Sequence, residues 1–359
     1  MKISSSSRTP VPIFPFLFAA YPALALFSHN VSQTPVSDVL RAFLLPLGFV
    51  LVIMALLGLL LRDWHKAGLA SCLLVLLFFS FGHVYQLLRP VVFAGVWLGR
   101  ADVLAAIWAA GWILGTWWII RVLRKPANFT PILNLVSAFL LSLNLINIVS
   151  FVIRSGDLKV QEIPAENAAA VAPAHSNPQK TAENLPDIYY IVLDGYGRSD
   201  ILREYYGVDN SGFLDFLRNN GFYVSEESHS NYNQTALTIS SALNLNYLDH
   251  LMKINEQSDN REPLARLVRD SAVRRYLEAH GYQVVAFDTW YFVTQVTDAD
   301  LYYPNIERLN PFEEMLLVNS AAIFWVDRLA AVERYENYLR SFENLYHVVE
   351  LKHESPKFV

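Results

Sequence analysis

The sequence predicts an α-helical membrane domain of five spans followed by an α/β domain with a mostly parallel sheet. Three observations carry that prediction. Of 359 residues, 53% are hydrophobic and only 17% charged, against about 25% charged in an average soluble domain, and the mean hydropathy is +0.26. The charge is split: residues 1–154 hold 11 Lys and Arg against 3 Asp and Glu, residues 155–359 hold 17 against 30, and the two parts are built for two solvents. Beyond residue 186 short apolar runs alternate with amphipathic stretches, the pattern of β-α-β units. The same composition argues against a disordered or nucleic-acid-binding chain.

Five apolar stretches fill the first part, roughly 11–28, 39–61, 67–88, 101–123 and 131–153. Four are about 22 residues long, enough to cross about 30 Å of hydrocarbon. The first is shorter and holds Pro12, Pro15 and Pro22; with four more spans behind it and no clear cleavage site, it reads as a retained helix. Basic residues set the expected topology. A cytoplasmic N-terminus places Lys2, Arg8, Arg62, Lys66, Arg121, Arg124 and Lys125 inside, against Arg41, Arg89, Arg100 and Arg154 outside. Everything after residue 154 is then extracytoplasmic.

His83, Gln86, Asn134, Asn144 and Asn147 are the polar residues of the spans. They serve interhelical hydrogen bonds or a substrate path. No charged residue lies mid-span, which argues against an ion pump. The single cysteine, Cys72, lies in an apolar run, so no disulfide forms within the chain.

Residues 155–186 read as a linker, Ala-rich with two prolines between Ala165 and Pro178. The α/β pattern follows. Asp187–Leu193 (DIYYIVL) reads as a buried parallel strand, Ser211–Asn220 as a helix stopped by Gly221, and Phe222–Val224 as the next strand. Thr235–Leu243 reads as a helix, Arg261–His280 as a longer one, Tyr282–Phe287 as a strand, and helices return over 311–351. Pro356–Val359 looks like the start of a further strand, so the α/β domain is expected to be incomplete, the N-terminal part of a larger one.

Two residues stand out chemically. Asp194 ends the first strand before Gly195-Tyr196-Gly197, where open α/β sheets bind ligands; it is either a metal ligand or an Asp capping its own turn. Thr235 opens a helix in Asn231-Tyr232-Asn233-Gln234-Thr235-Ala236-Leu237-Thr238, either as a nucleophile beside anion-binding N–H groups or as a plain N-cap.

DIYYIVLDG followed about forty residues later by Asn231-Tyr232-x-x-Thr235-x-x-Thr238 resembles the opening of the alkaline phosphatase and sulfatase superfamily. The closer resemblance is to its membrane branch of lipoteichoic acid synthases and phosphoethanolamine transferases, which also place five spans before an extracytoplasmic α/β domain. The resemblance covers the layout and, in detail, 185–250. It implies Asp194 and Thr235 as ligands of a divalent metal (zinc, manganese or magnesium), Thr235 as the nucleophile that carries the phospho-group, and Asn231 and Tyr232 beside the substrate. It further implies a bacterial plasma-membrane protein acting on a phospholipid or envelope glycan, with membrane lipids as partners.

The chain also departs from the pattern. It has no Cys/Ser-x-Pro-x-Arg motif of the kind that matures to formylglycine in arylsulfatases, which favours phospho-transfer over sulfate-ester hydrolysis. The Asp-His-Gly-type motif and the later His of the family are missing from 187–359, whose histidines are His229, His250, His280, His347 and His353. Asp249-His250 reads as a loop after the nucleophile helix. The expectation is that the remaining ligands follow Val359. Asp288, after another strand, reads as a turn residue, and the aromatics of 282–303 as packing. The competing reading is a catalytically inactive membrane protein with a binding or structural role. A transporter finds its only support in Pro46 and Gly48 of the second span.

Overall fold

Four of the expected apolar stretches form helices long and apolar enough to cross a membrane: α2 (Val36–Leu61), α3 (Trp64–Leu88), α4 (Ala101–Arg121) and α5 (Phe129–Ser155). A short antiparallel pair, β1 (Val92–Phe93) and β2 (Val96–Trp97), joins α3 to α4. The computed structural model describes residues 10–93, 96–155, 185–252, 260–306, 308–351 and 355–359. Most of the expected linker, 156–184, lies outside the described residues.

The first expected stretch forms α1 (Phe14–Asn30), with Pro22 inside it. At 17 residues it is about 26 Å long. Its buried face is small-residue-rich, with Ala19, Ala20 and Ala23 between Phe14 and Phe27, which lets neighbouring helix backbones approach closely. Asn134 of α5 closes its start. The Asn134 Oδ1 accepts from Ile13 N and Phe14 N at 3.2 and 2.9 Å, and its Nδ2 donates to Val11 O at 2.9 Å. First-turn N–H groups have no helical partner, and an apolar layer offers no water to replace one. Asp63 caps α3 in the same sense, accepting from His65 N and Lys66 N. Polar side chains at that end are satisfied by neighbours: His65 Nδ1 meets Thr130 Oγ1 at 2.8 Å, and Lys66 Nζ donates to Ile120 O at 2.8 Å.

The chain divides into two compact units, Met1–Asp157 with Asn305–Glu343, and Leu158–Pro304 with Asn344–Val359. The sequence pattern groups 305–343 with the α/β part; by contact it belongs with the membrane helices. Within the first unit, α12 (Pro311–Val318) opens with a capping box in which Asn310 and Glu313 bond each other's backbone N–H. It is tied to α2 by the Arg41–Glu313 ion pair and by Asn310 Nδ2 donating to Asp38 O at 2.9 Å. Ala321 N donates to Phe78 O of α3 at 2.8 Å. At Gly82 a Cβ would collide with the backbone of Asn319, so α3 touches the 318–320 loop through bare backbone. α13 (Ile323–Glu350) begins with Phe324 against Phe81 and Tyr85. Of the polar residues in the spans, Gln86 joins Asn134 in reaching another element, its Nε2 donating to Val318 O at 3.2 Å, whereas Asn144 Nδ2 bonds Leu140 O of its own helix.

The second unit holds α6 (Ser199–Tyr206), α7 (Ser211–Asn219), α8 (Thr235–Leu243), α9 (Leu248–Leu251), α10 (Glu262–Arg269), α11 (Ala272–Ala279), β3 (Gln283–Phe287), β4 (Leu301–Tyr303) and β5 (Lys357–Phe358). Its sheet is parallel in the order β4-β3-β5. Apolar residues of α8, α9 and α10, with Val293, form its core. Three local expectations are corrected. Asp187–Leu193 is not a buried strand throughout: Ile188 bridges Phe358 in parallel and Tyr190 N bonds Val359 O, but Ile191 and Leu193 beyond that ladder are 62% and 57% exposed. Phe222–Val224 forms no strand, and Tyr223 is 93% exposed. The helix expected over 261–280 breaks at Asp270-Ser271, because the Ser271 hydroxyl caps Arg274 N and starts α11 afresh.

A buried lysine fastens the outer strand. Lys357 Nζ lies 3.2 Å from Asp187 Oδ2 and donates to Val348 O and Leu351 O, while its backbone N–H donates to Asp187 Oδ1 at 2.8 Å. The extended 187–190 segment, β5 and β3 therefore run side by side in one direction. Asp288 directly follows β3, and Asp194 lies four residues beyond Tyr190.

Candidate functional site

Thr235 is the first residue of α8, and its placement is rigid. Ala236 and Ile239 sit in the core of the unit. Ser240 Oγ donates to Leu264 O at 3.1 Å, and Asn244 at the far end bonds both α10 and α11. Gln234, the N-cap, gives no side-chain hydrogen bond, so the first-turn N–H groups beside the Thr235 hydroxyl have no capping oxygen from it.

Asp194 comes to this hydroxyl from a turn. Gly195 has φ +75°, in the left-handed region that glycine enters freely, and the chain reverses there. The result is a hydrogen bond from Thr235 Oγ1 to Asp194 Oδ1 at 3.2 Å, across 41 residues. Asp194 itself is exposed and Thr235 half-buried.

A second clasp, absent from the sequence reading, joins the same two loops. Arg198 Nη1 lies 3.2 Å from His229 Nε2 and donates to Ser228 O at 3.3 Å. The same guanidinium grips Asp200 with two bonds of 2.7 Å, and that side-chain bonding holds the Asp200 carboxyl down to about 2. The bond raises Arg198 in turn. A basic residue four places after the strand-end Asp was the available signal.

Asn231 and Tyr232 flank the site but are occupied locally. Asn231 Nδ2 donates to Ser241 Oγ at 2.9 Å. The Tyr232 hydroxyl accepts from Leu248 N at 2.9 Å, and its carbonyl accepts from Thr238 Oγ1 at 2.8 Å. Both hold the loop onto α8. Asp249 and His250 lie exposed on α9 with 3.7 Å between them. Asp288 caps its own turn, its Oδ1 accepting from Trp290 N and Gln295 Nε2, and Trp290 is held at φ +62°. His280 Nδ1 faces Tyr276 O, and His353 lies outside the described residues.

Among the described residues no three His, Cys, Asp or Glu side chains group as a metal site. Asp194 and the Thr235 hydroxyl alone are too few for zinc, manganese or magnesium, so the residues described do not by themselves fit the divalent ion of the resemblance. What the arrangement offers is a hydroxyl on a rigid helix start, a carboxylate that accepts its proton-bearing bond, and a guanidinium-pinned loop beside it.

Compared with known proteins, the chain matches no family model, no curated protein and no solved structure.

Proposed function

We propose that this chain is a membrane-anchored transferase or hydrolase of phosphate, or sulfate, esters of envelope lipids or glycans, of the sulfatase-like class. The observation that carries the proposal is the Thr235–Asp194 hydrogen bond, which joins the two motifs that resemble that class. In the step proposed, Thr235 Oγ attacks phosphorus and forms an O–P bond while the ester O–P bond breaks. The Thr235 proton passes to the Asp194 carboxylate and from there to the leaving oxygen. Water or an acceptor hydroxyl then attacks the phospho-threonine, and Thr235 recovers its proton. N–H groups at the start of α8 face the negative oxygens in that step. In this reading α1 is a fifth span, and the distribution of basic residues puts the second unit on the extracytoplasmic side of a bacterial plasma membrane.

A second reading, a binding or structural role without turnover, draws on the lack of a three-ligand metal group among the described residues. The two separate in one experiment. The full chain in proteoliposomes is incubated with a phospholipid labelled in its headgroup phosphate, and the protein is digested and mapped by mass spectrometry. The wild type and Thr235→Ser should carry the label at position 235, and Thr235→Ala should carry none. Label retained in Thr235→Ala refutes the nucleophile, and no label in any form favours the binding role.

A further inference from the structure

Within the first unit, α2, α3 and α12 enclose a cavity of about 490 Å³. Its walls are apolar: Leu45 and Phe49 from α2, Val75 and Phe79 from α3, Leu316 and Leu317 from α12. Arg41, Arg308 and Glu313 belong to the lining as well, and they cluster. Arg41 pairs with Glu313 and donates to Arg308 O at 3.0 Å. From Arg41 to Phe49 along α2 is about 12 Å at 1.5 Å per residue. The space is therefore an apolar slot with a polar group toward the end where α2 begins. Pro46 lies in its wall, where it removes the helical hydrogen bond to Ala42 O.

Two of the wall residues bear on what the slot can hold. Leu45 and Phe49 line it and are also 65% and 55% exposed. They continue the apolar outer face that Leu44, Leu51 and Val52 present on a helix apolar enough to span a bilayer. The slot thus opens sideways onto the surface that hydrocarbon covers. Water has few partners on such walls, and an empty slot would forfeit dispersion contacts along its whole length. We propose that this cavity holds one acyl chain of a bilayer phospholipid, clamped against the spans by α12. The site is separate from Thr235, and it stands or falls independently of the enzymatic reading.

The test uses the full chain in nanodiscs containing a phospholipid with a diazirine midway along one acyl chain. After irradiation, adducts are mapped by mass spectrometry. Adducts are expected in 309–317 as well as on the lipid-facing residues Leu135 and Ile153 of α5. Leu45→Trp, and separately Leu317→Trp, fills the slot. Excluding two methylenes at about 0.8 kcal/mol each should lower the 309–317 adducts about fifteenfold, with the α5 adducts unchanged. Absence of 309–317 adducts in the wild type, or their survival in both tryptophan variants while α5 still labels, overturns the proposal.

Discussion

Asn244→Ala should loosen the scaffold that holds Thr235 while leaving the membrane helices intact. Asn244 is 5% exposed and makes three hydrogen bonds. Its Nδ2 donates to Ser240 O and Leu267 O, each at 2.8 Å, and its Oδ1 accepts from Ala272 N at 3.0 Å. One side chain thus joins the end of α8, the end of α10 and the start of α11. At about 1 kcal/mol per bond the substitution costs about 3 kcal/mol, which is roughly a 150-fold change in the local opening equilibrium. Ala leaves Leu267 O and Ala272 N without this partner in a buried setting, so the cost is not recovered by water. Asn244→Asp keeps the acceptor for Ala272 N but loses both donors and turns an oxygen toward two carbonyls. It should cost at least as much. The assay is hydrogen exchange by mass spectrometry on the full chain in micelles. Protection over 235–243 and 262–279 should fall by about two decades in both variants, with α2 to α5 unchanged. A fall smaller than about threefold in Asn244→Ala, or an equal fall in the spans, refutes the staple.

The remaining predictions concern three other contacts. Arg198→Ala should release the Asp200 carboxyl from about 2 toward an ordinary value of about 3.9, read by carbon NMR of labelled Asp. Because the folded-state value is depressed, the stabilisation from this pair is present above about pH 4 and is lost as pH falls toward the folded value. Asn134→Leu removes the cap of α1 and should destabilise the first unit by about 1–2 kcal/mol. The readout is the melting temperature in detergent, with a cysteine placed at Val11 becoming more reactive to a water-soluble maleimide. Gly82→Ala puts a Cβ against the Asn319 backbone and should cost about 1–3 kcal/mol through overpacking. Faster proteolysis at 318–322 checks it, and an unchanged cleavage rate contradicts the close approach.

Periodicity made most elements legible. The apolar stretches became α1 to α5, Thr235–Leu243 formed with the expected ends, and the Tyr282–Phe287 strand formed over Gln283–Phe287. These are local patterns, and local physics sets them. Where the sequence misled, the deciding contact lay elsewhere. DIYYIVL has the composition of a buried strand along its length, but its ladder is with β5 and reaches only Tyr190. A single hydroxyl, Ser271, outweighed the helical pattern across 261–280. The docking of α12 rests on Arg41 and Glu313, which are 272 residues apart, and no periodicity encodes such a pair. At the candidate site the Asp194 and Thr235 motifs pointed to each other. Arg198 was missed because its partners, Ser228 and His229, carry no motif of their own.

The Arg41–Glu313 pair has a consequence in time. Chain synthesis proceeds at about 5–20 residues per second, so 272 residues separate the two partners by roughly 15–55 s at that rate. The five N-terminal helices emerge long before α12 can dock on α2. Throughout that interval the slot lacks its α12 wall, and Leu45 and Phe49 of α2 have no Leu316 or Leu317 beside them.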